Sequence, residues 1–415
     1  MKKYQVVIVG GGCAGLSAAI TLKKNGIEDV LLIERDKEVG GILNQCIHNG
    51  FGLTTFKQQL SGPAFAERFS EQASNLSVEI KTDTMVISIT PEKIVTYQNE
   101  SEGVVSIQSE AIILTVGCYE RNRGAVQIDG SRCAGIFTAG QAQRYINMNG
   151  YMVGKKVFIL GSGDIGLIMA RRMHLEGAEV LGVAEIMPYS NGLARNIKQC
   201  LEDFDIPLYL SHTVTNVYGK DRLQAIDVCK VDENMQPIDS EKMHLEVDTL
   251  LLSVGLIPEN HLGEQCGIKM DPRIKGPYVD ENFMTSIPGI FAAGNGLHVH
   301  DLADYAAKQG SKAAEGTIRY LKEKQDDDYL TIKPEGNISY VVPACLHKTG
   351  LPKIVELYFR VKKPMKKCKI MIRSGDEIIR IIVKENMVPS EMEIIPIITD
   401  KIKDELIVEG MEDGD

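Results

Sequence analysis

The sequence predicts an α/β fold: two three-layer domains built on parallel strands, followed by a small β-rich domain. Three observations predict it. A glycine-rich turn occurs twice with the same internal spacing, as Gly10-x-Gly12-x-x-Gly15 and Gly161-x-Gly163-x-x-Gly166, each directly after an apolar β-branched run, at 6–9 and 157–160. Both copies then follow one ruler: from the third glycine it is eleven residues to Gly26 or Gly177 and nineteen to an acid, Glu34 or Glu185, at the end of a second apolar run. Beyond residue 322 the period changes, because Val355, Leu357, Phe359 and Val361 alternate with polar residues and 370–383 reads as a hairpin around Ser374-Gly375-Asp376.

Each ruler describes a βαβ unit. The first helix is expected over about 13–25, with Leu16, Ala19 and Ile20 on one face and Gly26 as its stop; Ile165, Ile168, Met169 and Gly177 repeat the arrangement. Buried strands are expected at 111–116, closing on Gly117, and at 249–254, closing on Gly255. The stretch 285–295, which contains Pro288-Gly289 and Gly294-Asn295, reads as a turn, a short buried strand and a tight glycine turn. A helix over about 301–322 follows, with Asp301 as its N-cap, and the acidic run 326–328 reads as a linker.

This layout has a chemical reason. A dinucleotide pyrophosphate must approach a helix N-terminus closely, where unpaired N–H groups and the macrodipole favour an anion. A Cβ at either of the first two glycines is expected to block that approach. The third glycine lets helix and strand pack, and the acid accepts hydrogen bonds from the adenosine ribose. Two such turns with matched acids predict two Rossmann-like dinucleotide-binding domains. A carboxylate at Glu185 favours NAD(H), since it bonds a free 2′-hydroxyl and repels a 2′-phosphate.

Composition limits the alternatives. At 415 residues and a net charge of −10, the chain suits an ordinary globular protein and disfavours nucleic acid or an anionic membrane as a general partner. Met1-Lys2-Lys3 before an apolar run imitates a signal peptide, but the glycine fingerprint accounts for the same residues. No run approaches the roughly 18 apolar residues of a spanning helix, and nine scattered cysteines fit reduced thiols, so the expectation is a cytoplasmic protein.

With these motifs assembled, residues 1–322 resemble the two-dinucleotide-binding-domain flavoproteins, the pyridine nucleotide–disulfide reductase superfamily of glutathione and thioredoxin reductases. The resemblance implies an FAD domain over 1–122 and 259–322, an NAD domain over 123–258 and a separate β-rich domain over 323–415. It implies FAD contacts from Gly10, Gly12, Cys13, Ala14, Gly15, Glu34, Arg35, Gly41, Gly117, Gly294, Asn295, Asp301 and Leu302. NAD contacts are implied for Gly161, Gly163, Asp164, Ile165, Gly166, Glu185 and Gly255. Asn295 departs from the family's usual Gly-Asp, keeping a hydrogen bond but not the charge.

More narrowly, 40–52, 294–302, Val341-Val-Pro343 and Pro389-Ser-Glu-Met392 are similar to a bacterial subfamily found beside a glycerol-3-phosphate dehydrogenase-type flavoprotein and a small cysteine-rich protein. More distant relatives are flavoprotein subunits of amine and amino-acid dehydrogenases. The implied function is hydride exchange between NAD(H) and FAD, with electrons passed to or from a partner redox subunit. Alternatives are an electron-transfer or scaffold subunit of a dehydrogenase complex, or a single-cysteine NADH oxidase. A homo-oligomer stays open.

Dithiol chemistry is disfavoured, because only Cys46 follows the Gly40-Gly41 doublet and no Cys-x-x-Cys precedes the second nucleotide strand. Cys345 and Cys368 alone cannot hold an iron–sulfur cluster. The candidate catalytic residues are therefore Cys46, as a thiolate or as a packing residue, His48, and the pair His298 and His300, as proton or hydrogen-bond donors or as packing groups. No metal site is expected. Arg121 and Arg123 read as phosphate contacts or surface pairs, and Arg360, Lys362, Lys363, Lys366, Lys367 and Lys369 as a solvated basic hairpin or a docking surface.

Overall fold

A computed structural model of the chain describes residues 1–323 and 328–412. Asp326 and Asp327 of the expected linker lie outside them. The chain divides into two compact units, one of Met1–Cys118 with Pro258–Asp415, the other of Tyr119–Ile257. The β-rich segment thus packs within the first unit.

In the first unit, strand β1 (Lys3–Val9) leads through the first glycine turn into helix α1 (Cys13–Lys24) and strand β2 (Val30–Ile33). The parallel strands run in the order Glu79–Lys81, β2, β1, Gly103–Leu114 and Ile290–Ala292. β1, β2 and Ile290–Ala292 are buried almost throughout, and so is the parallel-paired end of Gly103–Leu114 from Ala111 on, as a sheet covered on both faces requires. The N-terminal half of Gly103–Leu114 turns to antiparallel pairing with Ile94–Asn99, which pairs with Met85–Ile89.

In the second unit, β3 (Lys156–Leu160), α2 (Asp164–Leu175) and β4 (Glu179–Glu185) repeat the pattern. Its parallel order is Leu208–Leu210, β4, β3, Thr249–Leu252 and Ile136–Thr138. The two sheets share a spatial order but not a chain order: the fifth position is filled by a late strand in one and by an early strand in the other. A four-stranded sheet, Asp129–Gly130, His212–Gly219, Leu223–Val231 and Pro237–Glu246, completes this unit.

The ruler's shared glycines have a common cause. Gly26 (φ +83°) and Gly177 (φ +87°) are left-handed residues past the helix ends. Gly26 N–H bonds to Lys23 O and Ile27 N–H to Leu22 O, while Gly177 N–H bonds to His174 O and Ala178 N–H to Met173 O. Both are Schellman closures, which favour glycine at that position because it has no Cβ to strain.

The long helix α3 (Ala303–Lys322) crosses α1 in the first unit. At the crossing a Cβ on Gly310 would lie 2.1 Å from Ala14 O, so the backbones approach as closely as they do only because residue 310 is glycine. Ser17 and Ser311 hydroxyls bond across it at 2.8 Å. The C-terminal strands form a five-stranded and a three-stranded sheet. Val355, Leu357, Phe359 and Val361 fill their shared core, whereas Tyr340, Val342 and Tyr358 pack into the core of the nucleotide fold.

Candidate functional site

The first glycine turn is shaped by two different constraints. Gly10 (φ +105°) is required by the protein itself, since a Cβ there would lie 2.4 Å from Thr115 O; Gly15 likewise would strike Gly10 O at 2.0 Å. Only at Gly12 does an added Cβ meet nothing within 4 Å. The expectation that both of the first two glycines keep clear of a ligand is therefore corrected: Gly10 serves the turn, and Gly12 faces open space. Gly12 is also the N-cap of α1 with no side-chain cap, so the first N–H groups of that helix, at Cys13 and Ala14, end beside that open face. Gly41 (φ +57°) stands over it, its Cβ position 3.4 Å from Gly12 Cα.

The acids repeat the same geometry. Glu34, 5 % exposed, accepts hydrogen bonds from Gly11 N–H at 2.6 Å and Asp36 N–H at 2.9 Å. Glu185, 4 % exposed, accepts them from Ser162 N–H at 3.0 Å and Met187 N–H at 3.0 Å, and a further one from Ser162 Oγ at 2.7 Å. In each copy a carboxylate ties the glycine turn to the chain leaving the second strand. Arg35, next to Glu34, is exposed.

A second repeated pair went unread in the sequence. Thr115 and Ser253 each stand two residues before the closing glycine, Gly117 (φ +78°) and Gly255 (φ +101°). Thr115 Oγ1 donates to Val9 O and Gly10 O, and Ser253 Oγ accepts from Gly166 N–H at 3.1 Å. Comparing the two strand ends with each other would have found it.

The copies also differ in what packs on the turn. In the second unit the loop before the helix Ala194–Cys200 packs on the glycine turn: Asp164 Oδ1 accepts from Leu193 N–H at 2.8 Å and Asn196 Nδ2 at 2.7 Å. Gly163 has Ser253 Oγ 3.2 Å from its Cβ position, and Ile165 is half-buried on α2.

The Gly294 turn comes against α1, with its Cβ position 2.9 Å from Ala14 Cβ. Asn295 Oδ1 accepts from His300 N–H at 3.0 Å and contacts His300 Nδ1 at 3.3 Å. Gln309, buried on α3, accepts from Gly294 N–H with its Oε1 and donates from Nε2 to His298 Nε2 at 2.8 Å. His298 and His300 are 1 % and 8 % exposed, with rings 4.5 Å apart and the Tyr358 ring beside both. Burial holds both neutral, His298 well below the usual histidine range and His300 down to about 3. They are hydrogen-bonding groups and not proton reservoirs at neutral pH. His298 Nδ1 and His300 Nε2 are buried with no hydrogen-bond partner among the described residues, an arrangement costing about 1–3 kcal/mol per atom where nothing else satisfies it.

Asp301 does not cap α3. Leu302 holds the N-cap position without a side-chain bond, and Asp301 pairs with Arg360 and accepts from Met392 N–H at 2.6 Å. Arg360 therefore leaves the basic run it was read with: it is half-buried and also donates to Val299 O at 3.1 Å and Pro389 O at 3.1 Å. Lys362, Lys363, Lys366, Lys367 and Lys369 are exposed. Asp304, another residue without a sequence signal, accepts from Gly52, Thr54 and Thr55 N–H groups and fixes that loop against α3.

Burial pushes the Cys46 thiol up to about 12. His48 is half-buried with its ring 5.1 Å from that of Phe51. Arg123 is spent on the carbonyls of Ile128 and Asp129, which corrects its reading as a phosphate contact. Arg121 bonds through its backbone N–H to Gly255 O. No two of the nine cysteines form a disulfide. Among the described residues no cluster of three His, Cys, Asp or Glu is arranged to hold a metal, and no helix is long and apolar enough to cross a membrane.

Residues 4–310 match the family model for pyridine nucleotide-disulphide oxidoreductases. The chain belongs to that family. It is thus an oxidoreductase whose cofactors are FAD and a pyridine nucleotide. Hydrogen cyanide synthase subunit HcnB of Pseudomonas protegens is 24% identical over 74% of this chain and 67% of its own length. The glutamate synthase [NADPH] small chain of Escherichia coli is 25% identical over 77% and 69%. Among solved structures, T. acidophilum thioredoxin reductase has a TM-score of 0.62 at 23% identity, covering 78% of this chain and 99% of that one, a likeness of fold.

The oxidoreductase's residues fit the cofactor on chemical grounds. The open face at Gly12 beside an uncapped helix end suits a pyrophosphate, and Glu34 retains lone pairs for ribose hydroxyls.

Proposed function

We propose that this oxidoreductase passes hydride between NADH and bound FAD, and that a partner redox protein carries the other half-reaction. The observation that carries the reading is the doubled cradle, in which Glu34 and Glu185 are each pinned by the same two backbone N–H positions. When bound, FAD supplies hydride exchange with the nicotinamide and onward electron release.

The residues have separable roles in this reading. The N-terminus of α1, with Gly12, Cys13 and Ala14, holds the FAD pyrophosphate, Glu34 and Arg35 the ribose end, and Gly41, Gly117, Gly294, Asn295 and Leu302 line the rest. The uncapped N-terminus of α3 supplies positive potential for charge on the reduced cofactor. Gly161, Gly163, Asp164, Ile165, Gly166, Glu185 and Gly255 take the nicotinamide dinucleotide. Glu185 is buried and anionic in role, so it selects NADH by repelling a 2′-phosphate.

Two relatives carry the words "subunit" and "small chain" in their names, which supports a partner here. The segments 40–52 and 294–302 favour a glycerol-3-phosphate dehydrogenase-type flavoprotein with a small cysteine-rich protein as that partner, and the exposed lysines from 362 to 369 suit an acidic docking face.

The first test is anaerobic mixing of the purified protein with NADH and with NADPH, following the visible absorbance of the flavin. Rapid bleaching by NADH alone is expected. Bleaching by neither sinks the hydride route, and bleaching by NADPH sinks the role of Glu185. The partner is tested by copurification, where full turnover of a reduced substrate by the isolated chain argues against it.

A further inference from the structure

Segments far apart in the chain meet at the start of α3. Cys13 Sγ, on the first residue of α1, lies 3.6 Å from the carbonyl oxygen of Ala303, the first residue of α3, so the two helix ends adjoin beside the open face at Gly12. The residues just before Ala303 are gripped from the C-terminal strands. Arg360 Nη2 donates to Val299 O at 3.1 Å and to Asp301 Oδ1, and its Nη1 donates to Pro389 O at 3.1 Å and to Ser390 O. Asp301 Oδ2 accepts from Met392 N–H at 2.6 Å. The arginine thus bridges 299–301 and 389–392. Its own base is rigid: Phe359 and Val361 on either side are buried in the C-terminal core, so strand alternation turns Arg360 to the other face, where Tyr340 is its register partner.

Adhesion alone does not account for the pair. Tyr340, Val342, Tyr358 and Met392 already join the C-terminal strands to the nucleotide fold through apolar burial. An ion pair largely withdrawn from water holds no better than apolar side chains of the same size. What the planar guanidinium adds is a fixed position, because its donors leave in set directions. It also balances the charge of Asp301, which unpaired would offset the positive end of α3 from one residue before the N-cap Leu302. We propose that Arg360 is a positioning residue for the cofactor: through Val299 and Asp301 it fixes the start of α3 against the N-terminus of α1, and so sets the affinity and potential of the FAD. This rests on the FAD reading of the first unit, in which that helix end favours charge on the reduced cofactor.

Full-length protein freed of flavin is titrated with FAD, and the midpoint potential of the bound flavin is measured, for wild type, Arg360→Met and Asp301→Ala. The two variants remove opposite charges. A field effect alone therefore shifts the potential down when Arg360 is lost and up when Asp301 is lost, whereas loss of position shifts it the same way in both. The expected result is about tenfold weaker FAD binding and a more negative potential in both variants, on the scale of one charge-assisted hydrogen bond. Arg360→Lys keeps the charge and most of the stem but not the fork, so it should fall between wild type and Arg360→Met, and it carries the test where Arg360→Met does not fold. Shifts of opposite sign overturn the proposal in favour of charge alone. Wild-type affinity and potential in the variants, even with a lowered melting temperature, overturn it in favour of a structural staple. Failure of the wild type to take up FAD overturns the FAD reading itself, and is seen before any variant is compared.

Discussion

Gly10 and Gly12 occupy one motif and answer to different parts of the physics, which makes them separable by substitution. Gly10→Ala forces a side chain into a left-handed conformation and against the Thr115 carbonyl, so it should cost at least about 2 kcal/mol in urea unfolding. Gly12→Ala meets open space at an ordinary φ of −70° and should leave the flavin-free chain as stable as the wild type while abolishing FAD retention. Equal destabilisation by both would contradict the assignment of the open face. The histidine pair carries a second prediction. Their folded values lie below the ordinary 6.5, so the unfolded chain binds protons that the folded chain does not as pH falls below that point. Stability is therefore lost on acidification, by about 1.4 kcal/mol per pH unit for each histidine, from about pH 6.5 downward. Asp280, raised to about 7 by burial and then by Glu281, has the opposite sign and loses stability as pH rises from the carboxylate range to about 7. The pair is isolated by difference: His298→Gln with His300→Gln should flatten the acid limb relative to wild type, and parallel limbs would show that the rings are not held neutral.

At the scale of elements, the crossing of α1 and α3 joins the first glycine turn to the Gly294 segment. Gly310→Ala places a methyl 2.1 Å from a backbone oxygen that belongs to α1 and has no flexible end to move. The helices must separate, and the expected outcome is a loss of about 2–4 kcal/mol together with weaker flavin retention, read by thermal melting and by the flavin content of the purified protein. A variant that melts like wild type would show that the crossing is softer than its geometry. The paired Schellman closures at Gly26 and Gly177 explain why the sequence ruler works at all: helix length and the exit to the next strand are set by one backbone conformation used twice. Periodicity and glycine spacing therefore placed α1 within a residue and the ends of β1 and β3 on Val9 and Leu160, because these signals are local, whereas the strand read at 111–116 begins eight residues earlier, at Gly103, where its outer half is largely exposed and carries no apolar run. The start of α3 was misread because Asp301 is a good capping residue in isolation. Its carboxylate goes to Arg360, 59 residues away, and no local signal reports a contact of that range.

For the whole molecule, Tyr119–Ile257 is one uninterrupted segment with its own buried clusters around Val157, Ile159, Leu167 and Leu251, and around Phe158, Ile226 and Leu250. Produced alone, it should unfold in a single cooperative urea transition and bind NADH without binding flavin. A non-cooperative transition would mean that it depends on the rest of the chain. The first unit is assembled differently, because the nucleotide fold and the C-terminal strands share a core through Tyr340, Val342, Tyr358 and Met392. Alternation along Ile354–Val361 identified the residues of the inner sandwich core, but the opposite face of the same strand, with Tyr358 and Arg360, was left to the fold.

The sequence by itself determined the two βαβ units, their glycine turns, the matched acids and hence the family and its cofactors, because a dinucleotide site is built from short-range backbone geometry that needs particular residues at particular spacings. Only the tertiary structure decided which glycine of the first turn leaves open space, that burial raises the Cys46 thiol, that Arg360 turns inward to Asp301, and that His298 and His300 stand together in the interior. Those properties depend on burial and on contacts between segments far apart in the chain, and neither is written in any one segment.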